Sequence, residues 1–368
     1  MVAGEWVRKQ YLLAWIFNVG RGNCAFIMTP SKDGIMIDCG GDEEINSCVR
    51  KRLLPLCREH KWGEDKRTRL AQVIISHPHV DHFQNIETLF ELNAYLWTCP
   101  HDKESGLFEA DEAVEWEFIQ NPEGSDELLD LYRSAYEGRS LPLQVFRPTS
   151  QIPHFRYGIF YIRPPESEPL DNWFDGDEDT GLPKQDYGNN ISIMVCFRFN
   201  KSSILFPGDM MASGMKRALE VGCENRTVGE GIAAQFAKRS ASTETLRKWI
   251  NAGCSVFVAP HHGLESGYSR EFFDSLPLID PRVGLVVISE KAKPQKKDGK
   301  VHTNYQNSEK VRGIPVISDD GTKAKRLSVT TRTDGHCLIG FRGTDEISAV
   351  TSEDLEWIIT NGPNKLFT

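Results

Sequence analysis

The stretch VIISHPHVDHFQNIETLF, residues 73–90, decides how this chain folds. Its first three residues are apolar and β-branched, and a run this short predicts a fully buried strand rather than a helix. His77, His79, Asp81 and His82 follow at the carboxyl end of that strand, where open α/β sheets place their sites. Residues two apart on an extended turn point the same way, so the first two imidazoles can converge on one cation. Neutral imidazole together with carboxylate predicts a site for zinc, manganese or iron.

The composition is typical of a globular protein from a reducing compartment. Hydrophobic residues make up 39% of the 368 residues, which is enough for a sizeable core. The formal net charge of −9 argues against a generally basic surface for nucleic acid but leaves room for a local basic patch. Nine cysteines are scattered without CxxC pairs, and the apolar stretch YLLAWIF is too short to cross a bilayer. We therefore expect a cytoplasmic protein that does not associate with membranes.

The order of apolar runs predicts an α/β fold of two sheets packed together and covered by helices. Short strands joined by glycine-containing turns open the chain, a pattern that predicts an antiparallel meander. We expect one domain over residues 8–345, a looser, lid-like insertion over 100–185, and a C-terminal tail or helix over 346–368. That tail could dock on its own chain or on a partner. The acidic segment ESEPLDNWFDGDEDTG within the insertion is either a solvated loop or a lid over a site.

Two later strand ends repeat the pattern of the first. Asp209 follows the apolar run SSILFPG, and His261 and His262 follow CSVFVAP. A single Asp after a strand is usually a turn former, and a His-His-Gly sequence alone is an ambiguous sign of a site. The three strand ends in this order are together a specific indication of a metal site.

The ordered set HPHVDH, GD and PHHG resembles the signature of the metallo-β-lactamase superfamily. A narrower resemblance runs through FNVGRGNCAFIMTPSKDGIMIDCGG, YGNNISIMVCF, ILFPGD and APHHG, which are similar to the metallo-hydrolase domain of the ComEC competence proteins, a group assigned as nucleases. The resemblance covers roughly residues 12–290, apart from the looser stretch over 100–185. It implies an αββα sandwich, in which two mixed β-sheets pack face to face with helices outside.

The resemblance also implies a centre of two divalent ions with six protein ligands, namely His77, His79, Asp81, His82, Asp209 and His262. The first two would hold one ion, the next two would hold the second, and Asp209 would bridge both. Catalytic roles would fall on Asp81, Asp209 and His261, the last of which would contact the substrate or a ligand. Asp38, in the turn IDCGG, would orient the metal-binding loop.

Two places depart from the superfamily pattern. Asn189 and Asn190 stand where the superfamily usually supplies a third histidine to the first ion, and the ComEC-like group shares this change. The first site then lacks a nitrogen ligand, a place that Asn190, water or substrate could fill. Arg21 and Asn23 replace the usual Gln and Asp of the glycine loop VGRGN. This loop is either a tight turn or a place where the Arg21 guanidinium holds a phosphate oxygen.

The expected chemistry is hydrolysis by water that two divalent ions activate, with zinc as the first candidate metal and manganese as the second. The sequence contains no GxSxG, no P-loop and no GxGxxG after a strand, so it offers no competing nucleophile or nucleotide cofactor site. The resemblance implies a phosphodiester substrate such as DNA, and a protein partner encoded in the same system could bring the enzyme to it.

Substrate contacts are less specific in the sequence. The stretch EKAKPQKKDGK is either a solvated loop or a grip on phosphates through five lysines, namely Lys291, Lys293, Lys296, Lys297 and Lys300. His302 lies near the position at which ComEC-like domains have a late histidine. It could instead be an ordinary imidazole on the surface. Two other functions stay open: a hydrolase of small molecules such as lactones, thioesters or phosphoesters, and a non-catalytic binding module. The retained ligand set argues against the second, because a scaffold has no need to bury so many polar groups.

Overall fold

The computed structural model shows two mixed β-sheets that pack face to face. It describes residues 11–20, 22–41, 43–57, 70–77, 80–83, 94, 96–99, 115–118, 155–160, 187–190, 192–220, 222–226, 241–251, 253–276, 283–290, 300–342 and 346–368. In chain order the strands are β1 (Leu12–Ile16), β2 (Ala25–Met28), β3 (Gly34–Ile37), β4 (Gln72–Ile74), β5 (Leu96–Cys99), β6 (Glu115–Phe118), β7 (Phe155–Phe160), β8 (Met194–Phe199), β9 (Ser202–Phe206), β10 (Gly222–Arg226), β11 (Ala241–Thr245), β12 (Val256–Val258), β13 (Leu285–Ile288), β14 (Ile314–Ser318), β15 (Lys323–Arg326), β16 (Ser328–Thr330), β17 (His336–Phe341) and β18 (Ile347–Ser352).

The described helices are short and lie between these strands. They are α1 (Glu43–Cys48), α2 (Val80–Phe83), α3 (Tyr187–Asn190), α4 (Ala212–Glu220), α5 (Leu246–Asn251), α6 (Arg270–Asp274), α7 (Thr331–Asp334), α8 (Leu355–Thr360) and α9 (Gly362–Lys365). The first continues as a π-helical segment, Val49–Leu53, and a 3₁₀ turn, Leu54–Leu56. Further 3₁₀ turns are His261–Gly263, Glu265–Gly267 and Thr303–Gln306.

The strands of the described residues fall into two sheets. The first has the order β15-β14-β18-β17-β1-β2-β3-β4-β5-β6, and the second has the order β11-β10-β7-β8-β9-β12-β13-β16. The opening strands β1, β2 and β3 pair antiparallel, which confirms the predicted meander. Parallel pairing begins at β3–β4 in the first sheet and at β9–β12 in the second. Because parallel strands present their carboxyl ends at one edge, both sheets offer a row of strand ends for a site.

Strand alternation separates the layers of the molecule. In β1, Leu12, Ala14 and Ile16 belong to the core between the two sheets, whereas Leu13 and Trp15 belong to the core under the outer helices. Successive side chains of a strand point to opposite faces, so one apolar run lines both cores. The second sheet has its own outer core beneath α4, α5 and α6. This layering confirms the predicted αββα sandwich.

Strands of the two sheets lie inside the segments that were predicted as an insertion and as a C-terminal tail or helix. Within the stretch 100–185 that was expected to be a lid-like insertion, residues 155–160 form β7, a buried strand that pairs with β8 and β10 in the second sheet. Residues 115–118 likewise extend the first sheet as β6, beside β5. The rest of that stretch lies almost entirely outside the described residues. The expected tail over 346–368 also contains β18, which pairs with β17 and β14 inside the first sheet.

The C-terminal residues therefore dock on their own chain. The side chain of Asp354 accepts a hydrogen bond from the backbone N–H of Trp357 at 3.0 Å and caps α8. Ile358 and Ile359 of this helix are buried in the outer core of the first sheet. The ring of Phe367 lies 5.2 Å from that of Tyr11, which joins the two ends of the described chain.

Candidate metal centre

The predicted ligands lie together where strands of both sheets end. His77 follows β4, and Asp81 and His82 lie in α2 a few residues later. Asp209 follows β9 and His262 follows β12. The first three come from the first sheet and the other two from the second, so the site forms only when the sheets pack on each other.

Five of the six predicted ligands form two groups with the spacing of a metal site. One group is His77, His82 and Asp209, and the other is Asp81, His82 and His262. Within each group the ligand atoms lie within 4.8 Å of one another. Asp209 Oδ2 lies 3.4 Å from Nε2 of both His82 and His262, and Asp81 Oδ2 lies 3.9 Å from His262 Nε2. The central carboxylate is Asp209, and His82 belongs to both groups. Because its Nδ1 faces Asp38, its Nε2 can bind only one ion at a time.

A buried carboxylate behind the ligands, Asp38, orients them. Its Oδ1 accepts from the backbone N–H of Ser76 at 2.6 Å, and its Oδ2 accepts from Ser76 Oγ at 2.9 Å, His82 Nδ1 at 2.8 Å and Asn23 Nδ2 at 3.2 Å. Asp38 has a positive φ of 56°, a conformation that Asp and Asn tolerate better than most residues. This places the carboxylate under the ligand loop, as expected from the turn IDCGG.

The residues present fit a metal ion. Nδ1 of His82 faces the Asp38 carboxylate, and Nδ1 of His262 faces the carbonyl oxygen of Ser289 at 2.9 Å. An imidazole whose Nδ1–H is held by an oxygen presents its Nε2 lone pair, the usual arrangement of a ligating histidine. Nε2 of His82 is buried and makes no well-aligned hydrogen bond among the described residues, although Asp209 Oδ2 lies 3.4 Å from it. A buried nitrogen in this state is costly unless a ligand occupies it.

The charges of the site also favour a cation. Burial lowers the pKa of His82, but the carboxylates of Asp209 and Asp38 outweigh burial and hold this pKa well above its usual range. Burial raises the pKa of Asp209, yet His262 and His82 hold it well below the usual range. The same carboxylate outweighs burial at His262 and raises its pKa. These shifts favour the protonated imidazoles of His82 and His262 in the metal-free cluster, and a divalent ion would replace those protons.

Glycines allow the backbone to pack against the ligand loop. A Cβ on Gly22 would lie 1.7 Å from the carbonyl oxygen of Asp81, and a Cβ on Gly40 would lie 2.1 Å from the same atom. The first of these glycines also has a φ of +96°. Next to them, the N–H of Cys39 donates to the carbonyl oxygen of His82 at 2.7 Å. The loop that carries two ligands is thus held by backbone contacts with no room for side chains.

The two asparagines that replace a histidine are buried beside this cluster. Asn190 Oδ1 accepts from the backbone N–H of Met211 at 3.2 Å, at the start of α4. That oxygen accepts one hydrogen bond and keeps a second lone pair, so the role of Asn190 as a ligand of the first ion stays a prediction. The backbone carbonyl of Asn189 accepts from the N–H of Ser192 at 3.1 Å, while its side-chain Oδ1 is buried without a described partner. Both asparagines shape the loop next to Asp209.

The other predicted contacts lie around the rim. His261 is half-buried outside both ligand groups, with its Nδ1 2.7 Å from Ser266 Oγ. His302 stacks on Tyr268 with ring centroids 3.8 Å apart, and its backbone N–H donates to the carbonyl oxygen of Gly263 at 2.9 Å. It is therefore an ordered residue next to the ligand loop rather than an isolated surface imidazole. Burial lowers the pKa of His302, so it is neutral near pH 7.

Several predicted residues lie outside the described part of the chain. They are His79, Arg21, Lys291, Lys293, Lys296 and Lys297. Lys300 is described and exposed. The roles proposed for these residues stay predictions.

Some residues of the site were not found from the sequence. Ser76 contacts Asp38, and its Oγ lies 3.1 Å from His77 Nδ1. Ser192 Oγ accepts from the backbone N–H of Asp209 at 3.2 Å. Both serines stand next to a motif, but serine is a common loop residue and nothing in the sequence tells which hydroxyl will meet a ligand loop.

Comparison with known proteins agrees with this geometry. The family profile described as the metallo-beta-lactamase superfamily matches residues 17–262, which is more than half of the chain and includes every predicted ligand. A search of curated proteins gave no match. No helix in the described ranges has the length and apolar character needed to cross a membrane. From the matched family and the cluster of histidine and aspartate side chains, the chain belongs to the metallo-β-lactamase superfamily and is a metal-dependent hydrolase.

Proposed function

We propose that this hydrolase is a phosphodiesterase of the nuclease type, related to the ComEC-like members of the superfamily. The proposed substrate is DNA or another phosphodiester polymer. Three features of the chain support this: two ligand groups close together, a lysine-rich stretch whose two ends are held beside them, and the imidazoles of His261 and His302 at the rim.

The two ligand groups share His82 and surround one carboxylate, Asp209. Two ions held this close would supply an activated water and a clamp on the attacking and leaving oxygens of a phosphate. The protein's own part is to fix the geometry. Asp38 holds the ring of His82, and the carbonyl oxygen of Ser289 holds the ring of His262. Such ordered ligands lower the reorganisation needed during the reaction.

The attachment of the lysine-rich stretch is the observation that carries the proposal. On the N-terminal side of the stretch, the carbonyl oxygen of Ser289 accepts a hydrogen bond from His262 Nδ1 at 2.9 Å. On the C-terminal side of the stretch, the backbone N–H of His302 donates a hydrogen bond to the carbonyl oxygen of Gly263 at 2.9 Å. Residues 291–300 between these anchors contain five lysines and one acidic residue, Asp298.

Chain length then limits where those lysines can be. An extended chain advances about 3.4 Å per residue, so no residue of the stretch is further than roughly 20 Å from one of its two anchors. In a chain of net charge −9, this stretch concentrates five positive charges between two anchors that lie at the candidate metal centre. Lysines so placed suit contacts to successive phosphates of a polymer, which add affinity without reading its sequence.

His261 has a proposed role in this reaction. It lies next to the ligand His262 but belongs to neither ligand group, and Ser266 holds one side of its ring. We propose that the ring of His261 contacts the substrate, where an imidazole could donate a proton to the departing oxygen.

The proposed metals are zinc, with manganese as the alternative, because the donors are imidazole nitrogens and carboxylate oxygens. We also propose a reducing, cytoplasmic location and a protein partner that delivers the substrate. In support of the location, none of the seven cysteines whose side chains are described forms a disulfide.

The test is cleavage of single-stranded and double-stranded DNA by the purified protein in added zinc or manganese. Asp81→Ala should lower cleavage at least 100-fold, because it removes a ligand of one ion while the carboxylate lies outside the core. Asp274→Ala, an exposed aspartate of α6, is the matched control and should leave the rate unchanged. Equal activity of the wild type and Asp81→Ala would contradict the site.

The nuclease proposal is tested separately with the lysines. Replacing Lys293, Lys296 and Lys297 by Glu should lower DNA cleavage more than hydrolysis of a small phosphodiester. It should also reduce the slope of log affinity against log salt by up to about three, since each phosphate contact contributes roughly one. Lys325→Glu, at an exposed position of β15, is the control. Hydrolysis of small esters alone, with no effect of the lysines, would replace the nuclease by a small-molecule hydrolase.

A further inference from the structure

Ser289, a buried residue that directly follows β13, contacts both halves of the metal centre. Its carbonyl oxygen accepts from His262 Nδ1 at 2.9 Å. Its hydroxyl donates to the carbonyl oxygen of Gly22 at 2.8 Å, across 267 positions of sequence. One residue of the second sheet therefore holds a ligand with its backbone and a loop of the first sheet with its side chain.

The loop that Ser289 holds lies directly against another ligand. A Cβ on Gly22 would be 1.7 Å from the carbonyl oxygen of Asp81 and 3.1 Å from its Cβ, so the two backbones are in contact. A continuous path of contacts thus runs from Asp81 through Gly22 and Ser289 to His262. Across the site the same two ligands face each other, with Asp81 Oδ2 3.9 Å from His262 Nε2.

We propose that Ser289 is a positioning residue that fixes the separation between Asp81 and His262, and thereby the affinity of the ion they share. Its hydroxyl closes the path of contacts, because no other side chain joins the Gly22 carbonyl to the second sheet in the hydrogen bonds of the described residues. Groups that orient the ligands of a metal are typically worth about 10–100-fold in affinity.

The effect should fall on one ion and not on the other. The second ligand group, His77, His82 and Asp209, is aligned across the sheets by different contacts. The N–H of Ile193 donates to the carbonyl oxygen of Ser76 at 2.7 Å, and Ser192 Oγ accepts from the N–H of Asp209 at 3.2 Å. None of these involves Ser289. The inference depends on the metal centre and not on the choice of a phosphodiester substrate.

The experiment is a titration of the metal-free protein with zinc by calorimetry and with cobalt by its visible absorption. Ser289→Ala should lower the affinity for one of the two ions by at least about tenfold and change the spectrum of cobalt bound at that site. The affinity for the other ion should stay within about twofold of the wild-type value. Ser289→Thr retains the hydroxyl and should restore the weakened affinity. If Ser289→Ala does not fold, Ser289→Cys keeps nearly the same volume with a much weaker donor and should show the same loss.

Ser328→Ala is the matched control, since this serine is also buried and lies in β16, the strand that pairs with β13. It should leave both affinities unchanged. Three results would overturn the proposal: unchanged affinities in Ser289→Ala, an equal fall of both affinities, or the same loss in Ser328→Ala. A wild-type protein that binds a single ion with an affinity insensitive to Ser289→Ala would overturn it too.

Discussion

Replacing Asp38 by Asn tests how far the carboxylate behind the ligands sets the metal affinity. The change is nearly isosteric, and the positive φ of 56° suits Asn as well as Asp, so the backbone should not be strained. The four hydrogen bonds of Asp38 are divided unequally, with one at Oδ1 and three at Oδ2. The amide should therefore place its oxygen at the Oδ2 position and its nitrogen against the N–H of Ser76.

The magnitude follows from this geometry. The lost bond joins Ser76 N–H to a charged oxygen at 2.6 Å, and such bonds contribute about 1.5–3 kcal/mol to the free energy of unfolding. The Nδ1–H of His82 keeps an acceptor, but the acceptor no longer carries charge. Loss of a carboxylate partner of a ligating histidine lowers metal affinity roughly 10–100-fold. That is about 1.4–2.8 kcal/mol of binding free energy.

Two measurements check this prediction: zinc affinity by competition with a chelator, and urea unfolding of the metal-free protein. Asp33→Asn is the control, because Asp33 is also buried and accepts from the hydroxyls of Thr29 and Ser31, in the turn between β2 and β3. It should lower stability with zinc affinity unchanged. The reasoning is refuted if Asp38→Asn binds zinc within about twofold of the wild type, or if Asp33→Asn weakens zinc equally.

Two further predictions concern the packing and the charges of the site. Gly22→Ala should abolish binding of at least one ion and destabilise the fold, since the new Cβ would lie 1.7 Å from Asp81 O. By contrast, Gly321 also has a positive φ, of 88°, but nothing lies within 4 Å of a Cβ added there. Gly321→Ala should therefore lower the free energy of unfolding in urea by only about 1–2 kcal/mol. Equal losses of stability in the two variants would contradict the steric argument. The gain in Tm on adding zinc should be larger at pH 9 than at pH 6. The raised pKa of His82 means that its protonated form stabilises the metal-free fold below about pH 6.5 and that this stability is lost as pH rises through the raised pKa. The lowered pKa of Asp209 affects stability only in acid, where its stabilising effect is lost as pH falls through that pKa. A gain in Tm that does not depend on pH would show that protons and zinc do not compete for this cluster.

Local patterns were sufficient to predict the strands and most of the side chains that come together in the candidate metal centre. The apolar runs before His77, Asp209 and His262 are buried strands, because short β-branched segments have few other stable places in a globular chain. A polar residue directly after such a strand is positioned by it. The ligand types could therefore be read from the sequence without knowing how the two sheets pack.

Local patterns were not sufficient where a residue's contacts depend on a distant neighbour. The hydrogen bond from the N–H of Met211 to Asn190 Oδ1, for example, appears only when α4 is in place. The strand β18 was missed because its residues, ISAVTS, alternate polar and apolar residues weakly and all become buried between β17 and β14. Whether such a segment forms a strand depends on the neighbouring strands it packs between and not on its own residue pattern.

The sequence by itself determined which side chains can hold a metal, since a carboxylate or imidazole at the end of a buried strand follows from local periodicity. The tertiary structure decided how those side chains are held. Asp38 lies 44 positions from His82, and Ser289 lies 267 positions from Gly22, yet each pair is joined by one hydrogen bond. The first bond exists because the neighbouring strands β3 and β4 end at one edge of the first sheet, and the second exists because the two sheets pack on each other. No periodicity within a segment records which hydroxyl or carbonyl will meet there.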